Sequence, residues 1–272
     1  MKVLKILTII VIIYQTFTLN AMSQIKFGVI SIIDPVVLTQ RMAPITVYLS
    51  NCLNDRISLK LGRDYKEIMD KLVNGDLDMG FIGPAPYVKI KDRVEIVATL
   101  VSDGTPYFNS VIVVRKDSEI TDITELAQKK FAFGSPYSTL SFYVPAHILH
   151  THKVLSRLGN YNFLGKHDQV AKNVILGKYD AGGIKESVYL QYPNYLKILH
   201  KSEPFYDFVI VVRKNFDLSL KNRLETALLN LKSSSVLSAF KPGATGFIKG
   251  QKSNYEDIAT IIEVIDRLRR KQ

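Results

Sequence analysis

Short β-branched runs alternate along nearly the whole chain with stretches whose apolar residues recur at helical spacing. Residues 25–30 (IKFGVI) predict a first strand, and residues 39–53 a helix beyond Asp34-Pro35. Residues 57–61 predict a second strand. Ile68, Met69, Leu72 and Val73 then share one face of a helix over residues 65–73. Asn74-Gly75 ends that helix with residue types that tolerate a left-handed backbone. Residues 78–82 (DMGFI) read as a short buried strand. The alternation predicts an α/β fold, sheets covered by helices.

One pattern occurs twice. Val111-Ile112-Val113-Val114-Arg115-Lys116 returns as Val209-Ile210-Val211-Val212-Arg213-Lys214, each run switching abruptly from β-branched to charged residues. Two copies bracketing the middle of the chain predict that it leaves one domain and later returns, with the two strands pairing as a hinge. Lobe one is then residues 24–113 with 208–272, and lobe two is residues 114–207. Ligands bind between such lobes. The bland alternative is that any two valine-rich strands look alike.

The middle region repeats the α/β signals, with a strand at residues 131–133 and helices at 138–149 and 170–176. Residues 179–184 (YDAGGI) echo residues 76–83 (DLDMGFIG): glycine after a helix, an acidic residue, then a short strand. Near the end, Ile258, Ile261, Ile262, Ile265 and Leu268 make one apolar helix face expected to dock on lobe one.

The first residues follow a different logic. Lys2 and Lys5 precede the apolar run ILTIIVII, and Ala21-Met22-Ser23 supplies a small-x-small cleavage motif before Gln24. The expectation is a signal peptide over residues 1–23 and a periplasmic mature protein. The alternative, an uncleaved anchor, is disfavoured because the run falls short of the ~20 residues a spanning helix wants. Removing Lys2 and Lys5 takes the formal net charge from +11 to +9. That charge suits an anionic small molecule. Export, and the lack of a basic stripe interleaved with aromatics, argue against nucleic acid. Cys52 is the single cysteine, which excludes an intramolecular disulfide and reads as a small buried hydrophobe.

Two segments carry candidate chemistry. Gly134-Ser135-Pro136-Tyr137-Ser138-Thr139-Leu140-Ser141 follows a strand and opens a helix. Ser138 and Thr139 suit an N-cap, and the free N–H groups of a helix start favour an anion. Hydroxyl and N–H donors hold such an anion reversibly without a buried cation, although an ordinary cap has the same residues. Gly83-Pro84-Ala85-Pro86-Tyr87 also leaves a strand, and places Tyr87 near a helix start as Tyr65 is in the preceding helix.

In this order, these segments resemble the phosphonate/phosphite-type substrate-binding proteins of ABC importers, a branch of the periplasmic binding proteins with two α/β lobes. The resemblance also takes in Asn74-Gly75-Asp76-Leu77-Asp78, Ser110 to Lys116, His167 through Gly177 to Asp180, and Pro204 to Lys214. It implies a two-lobed fold, each lobe a mixed sheet covered by helices, joined by two hinge strands. It implies ligand contacts from Ser138, Thr139, Tyr87 and Tyr65, with Ser141 and His167 at the same cleft. Asp207 and Glu186 match acidic positions that read the rest of the ligand, such as an amine. Where the family usually has Ser-Thr-Ser-Gly, this chain has Leu140 and Ser141 in the last two places. That departure bears on which ligand is bound more than on where.

His147, His150 and His152 are close enough in sequence to raise a metal site, but no carboxylate or cysteine stands beside them. A packed or surface cluster is the expectation, with no metal and no cofactor. No local catalytic signature is present. The function expected is capture of a small oxyanion, by a monomer rather than an enzyme, for an ABC permease. The alternatives are a sensing component for a membrane sensor kinase and, less favoured, a periplasmic enzyme acting on a phosphorylated substrate.

Overall fold

The computed structural model describes residues 24–31 and 34–270. The expected signal peptide, residues 1–23, lies outside the described residues. Among the described residues no helix is long and apolar enough to cross a membrane.

The chain opens on β1 (Gln24–Ile30). Helix α1 (Pro35–Leu53) starts earlier than the apolar spacing predicts. Asp34 is its cap, its Oδ1 accepting from the N–H groups of Val36 and Val37 at 2.9 and 3.2 Å. Proline at the first helical position costs nothing, since that N–H would be unpaired anyway. Strand β2 (Arg56–Gly62), α2 (Tyr65–Asn74) and β3 (Met79–Ile82) follow. Gly75 closes α2 at φ +79°, the left-handed turn the sequence predicts. Helix α3 (Pro84–Ile90) and β4 (Val94–Ser102) complete this stretch.

Beyond β5 (Tyr107–Phe108), the chain builds a second sheet from β6 (Ser110–Arg115), β7 (Lys130–Phe133) and, after α4 (Val144–Thr151), β8 (Asn160–Phe163). Helix α5 (His167–Ile175), β9 (Ala181–Lys185), α6 (Glu186–Tyr189) and β10 (Leu196–Lys201) finish it. The return runs through β11 (Phe205–Tyr206), β12 (Val209–Arg213), α7 (Leu218–Leu229), α8 (Ser234–Phe240), β13 (Ala244–Lys249) and α9 (Glu256–Arg269).

The result is a six-stranded sheet ordered β13-β4-β12-β3-β1-β2 and a five-stranded sheet ordered β10-β6-β9-β7-β8. Both are mixed, as expected. Strands β1, β2 and β3 run parallel, as do β7, β8 and β9, with antiparallel β12 and β6 laid against them.

The expected pairing of the two valine runs does not occur. β6 lies inside the five-stranded sheet and β12 inside the six-stranded one. Val111 to Val114 and Val209 to Val212 are wholly buried, which suits inner strands of covered sheets rather than a connection crossing open space. The chain changes sheet instead within residues 103–109 and 202–208. There β5 and β11 form a two-stranded antiparallel ribbon, Phe205 opposite Phe108 and Tyr206 opposite Tyr107. The Tyr107 and Tyr206 ring centres lie 4.6 Å apart, the rings tilted by 56°.

The echo between residues 76–83 and 179–184 is a structural repeat. Asp78 accepts from the Lys26 N–H at 2.9 Å, and Asp180 accepts from the Lys130 N–H at 2.7 Å. Each aspartate thus ties the start of the third strand of its unit to the start of the first. Helix α9 departs from expectation by docking on both halves. Ile258, Ile261, Ile262 and Ile265 are buried in one cluster with Ile68 and Tyr87 on one side and Phe142 and Tyr143 on the other. Beyond that face, Asp266 accepts from the Tyr143 hydroxyl at 3.1 Å, and the Arg269 guanidinium lies 5.1 Å from the Phe142 ring centre. Cys52 is partly exposed rather than buried.

Candidate oxyanion-binding cleft

The carboxyl ends of β1, β3, β7 and β9 face one cavity of about 130 Å³, where ligands bind in open α/β sheets. One sheet contributes Val29, Ile30, Phe81 and Gly83, and the other contributes Ser138, His167 and Lys185. The structural repeat explains the symmetry of this lining. Tyr65 and His167 each open the helix between the second and third strands of their unit, while Gly83 and Lys185 each cap the helix after the third.

The polar corner forms around the helical turn at Thr139–Tyr143, a wide turn that runs directly into α4. Ser138 caps it, its Oγ accepting from the Ser141 N–H at 3.1 Å. The same oxygen lies 3.3 Å from His167 Nε2. His167 Nδ1 accepts from the Lys185 N–H at 3.0 Å, so in the neutral ring the proton sits on Nε2 and is donated to Ser138. With two donors on its oxygen, the Ser138 hydroxyl has its own proton left for a ligand. Thr139 Oγ1 accepts from the Ala85 N–H at 2.9 Å, joining the helix start of one sheet to that of the other. Its proton is likewise free. The Tyr65 hydroxyl has no hydrogen-bond partner among the described residues, and burial pushes its pKa up to about 12, keeping it a donor.

Burial, and secondarily the charge of Lys185, push His167 down to about 3 from the ordinary 6.5. A depressed histidine pKa means the unfolded chain binds the proton more tightly than the fold does. The associated stability is fully present above pH 6.5 and is lost as pH falls toward 3. Between pH 8 and 5 the loss is on the order of 2 kcal/mol. Chemical denaturation of the unliganded protein across that range should show this slope, and His167→Gln should remove it. An unchanged slope in the variant would assign the effect to other groups.

Three cations complete the lining, and none was anticipated from the sequence. The Lys185 ammonium has no ion-pair or hydrogen-bond partner among the described residues. Its pKa is held below the ordinary lysine value, by burial first and then by the charge of Lys241, with Asp207 and Asp168 acting the other way. Arg41, on α1, donates to the Ser238 carbonyl at 3.0 Å and has no carboxylate partner among the described residues. Lys241 is paired with Asp207. Hydroxyl and N–H donors alone were expected here, and the cavity carries these three cations beside them.

Of the residues singled out from sequence, Tyr65, Ser138, Thr139 and His167 line this cavity together. The others lie elsewhere. Tyr87 is buried with its ring 5.1 Å from that of Tyr255, because Pro84 and Pro86 start α3 early enough to turn it into the core. The Ser141 hydroxyl donates to the Gly183 carbonyl, and a side chain at Gly134 would lie 2.5 Å from that oxygen, so the segment packs inward here. Glu186 is spent on Lys201 at 2.6 Å. Asp207 is wholly buried against Lys241, Ser102 and the Phe208 N–H. Leu140 does line the cavity, as an apolar wall. His152 donates from Nδ1 to the Ile148 carbonyl at 2.8 Å and faces His200 rather than an ion site. Among the described residues, no group of three histidine, cysteine or acidic side chains is arranged to hold a metal.

Two mixed α/β sheets meeting on a cavity lined with hydroxyls and cations are the architecture of a two-lobed solute-binding protein. The chain belongs to the family described as ABC transporter, phosphonate, periplasmic substrate-binding protein, whose model matches residues 27–255. It is 27% identical over 130 residues to the phosphonates-binding periplasmic protein of Escherichia coli (strain K12), an alignment covering 45% of this chain and 38% of that one. It is 26% identical over 153 residues to the phosphate-import protein PhnD of Mycolicibacterium smegmatis, covering 51% and 48%. The chain thus spans under half the length of these two relatives. The structure of PhnD1 from Prochlorococcus marinus in complex with methylphosphonate superposes with a TM-score of 0.79, at 24% identity, over 89% of this chain and 98% of that one. At that identity the likeness is one of fold.

Proposed function

We propose that this protein captures a small phosphorus oxyanion outside the cytoplasm and delivers it to an ABC permease. The observation that carries the reading is the unpaired Lys185 ammonium, which lines one cavity with the hydroxyls of Ser138 and Thr139. A desolvated cation without a counter-ion is costly, and an anionic ligand removes that cost. The lobe boundaries in this reading fall within residues 103–109 and 202–208, where the chain crosses between sheets. Closure brings Thr139 onto Ala85, and opening about the β5–β11 ribbon admits and releases the ligand.

The test is thermal unfolding of the exported protein with phosphate, phosphite, methylphosphonate and sulfate. A phosphorus oxyanion at about a hundred times its Kd should add ~2.7 kcal/mol of stability. If none of these ions shifts the transition at millimolar concentration, the reading is wrong.

A further inference from the structure

We infer that the favoured ligand is a phosphonate whose organic substituent is uncharged and apolar, so that amine-bearing phosphonates are rejected. This rests on the oxyanion reading above and goes beyond it to the part of the ligand that is not the oxyanion. A cleft that recognises an ammonium needs an acceptor charge to face it. Here the two acidic side chains expected in that role are both occupied by lysines, Glu186 by Lys201 and Asp207 by Lys241. Among the described residues, no aspartate or glutamate lines the cavity. What lines it instead is the wrong sign for an amine. Arg41, Lys185 and Lys241 all border the space, and an ammonium brought among them meets like charge.

The remainder of the wall is apolar. Leu38 and Met42 from α1, Phe81 from β3, and Phe208 and Phe240 all line the cavity. Phe81 stands between the other two rings, 5.1 Å from Phe208 and 5.2 Å from Phe240, so this wall is a packed aromatic surface. Leu140 adds a further apolar side chain to the lining. At the ~30 Å³ a water takes in the liquid, the cavity of about 130 Å³ holds on the order of four waters, room for a phosphonate head and a short substituent. Charge balance agrees. With Lys241 neutralised by Asp207, the uncompensated cations are Lys185 and Arg41, a match for a phosphonate dianion with no further charge on it.

The experiment compares propylphosphonate with aminoethylphosphonate by calorimetry on the unaltered protein, with phosphate as the reference ion. The two phosphonates are nearly the same shape and differ by a terminal methyl in place of an ammonium. Propylphosphonate should bind roughly tenfold tighter or more, about 1.4 kcal/mol. Equal affinities, or preference for the amine, would overturn this inference while leaving the oxyanion reading intact. Binding of neither phosphonate nor phosphate would overturn the oxyanion reading and this inference together.

Discussion

Lys185→Met should raise the Kd for phosphate or a phosphonate by roughly 30- to 1,000-fold, the equivalent of about 2–4 kcal/mol lost with one partner of a desolvated charge pair. The same substitution should not weaken the empty protein. A lysine whose pKa is lowered by burial binds its proton less tightly folded than unfolded, so its charge opposes folding at neutral pH. That penalty fades only as pH rises from the folded pKa toward 10.5. Replacing it with an apolar side chain of similar length removes the penalty, and the melting temperature without ligand should rise or hold. Calorimetry and thermal unfolding on the same sample separate the outcomes. A loss of affinity together with a lower unliganded melting temperature would mean a structural role. An affinity within threefold of the unaltered protein would remove Lys185 from the site.

That Lys185 went unread in the sequence is instructive, because the signal was present. Aligning the echoed segments puts Asp180 on Asp78 and Lys185 on Gly83. Gly83 opens the segment that was read as carrying Tyr87 to the cleft, so its counterpart was a candidate too. The same alignment pairs His167 with Tyr65, both of which line the cavity. Two helix starts were legible because capping is local: Asp64 and Ser138 each accept from the N–H three residues on. Arg41 and Lys241 were not legible. Arg41 sits nearly two turns into a long helix, and Lys241 follows a short helix far away in sequence. Only tertiary packing brings them to one space.

The errors share a cause. Tyr87, Ser141, Glu186 and Asp207 are each within a few residues of the cleft, and each is turned from it by a partner the sequence does not advertise: Tyr255, Gly183, Lys201 and Lys241. The valine runs were misjudged as a hinge for a related reason. Periodicity reports burial, and wholly buried strands are the least suited to a connection that must flex. The part-exposed ribbon of Tyr107, Phe108, Phe205 and Tyr206 is too short for periodicity to register.

Asp207→Ala should cost about 3–5 kcal/mol of stability, because it strips a buried ion pair of one partner and leaves the other desolvated. The carboxylate is wholly buried beside the β5–β11 ribbon, its Oδ1 accepting from the Phe208 N–H at 2.7 Å while Oδ2 holds Lys241. In a chain of this size the melting temperature should fall by on the order of 10 °C. Asp207→Asn tests the charge apart from the hydrogen bonds, since an amide oxygen still accepts from Phe208. That variant should lose less stability, yet it leaves Lys241 as a third uncompensated cation on the cavity wall. The cavity then favours a ligand with more negative charge, so phosphonoacetate should gain on methylphosphonate relative to the unaltered protein. An unchanged ratio of those two affinities, in a variant that still folds, would show that Asp207 only braces the ribbon and does not set the charge the ligand meets.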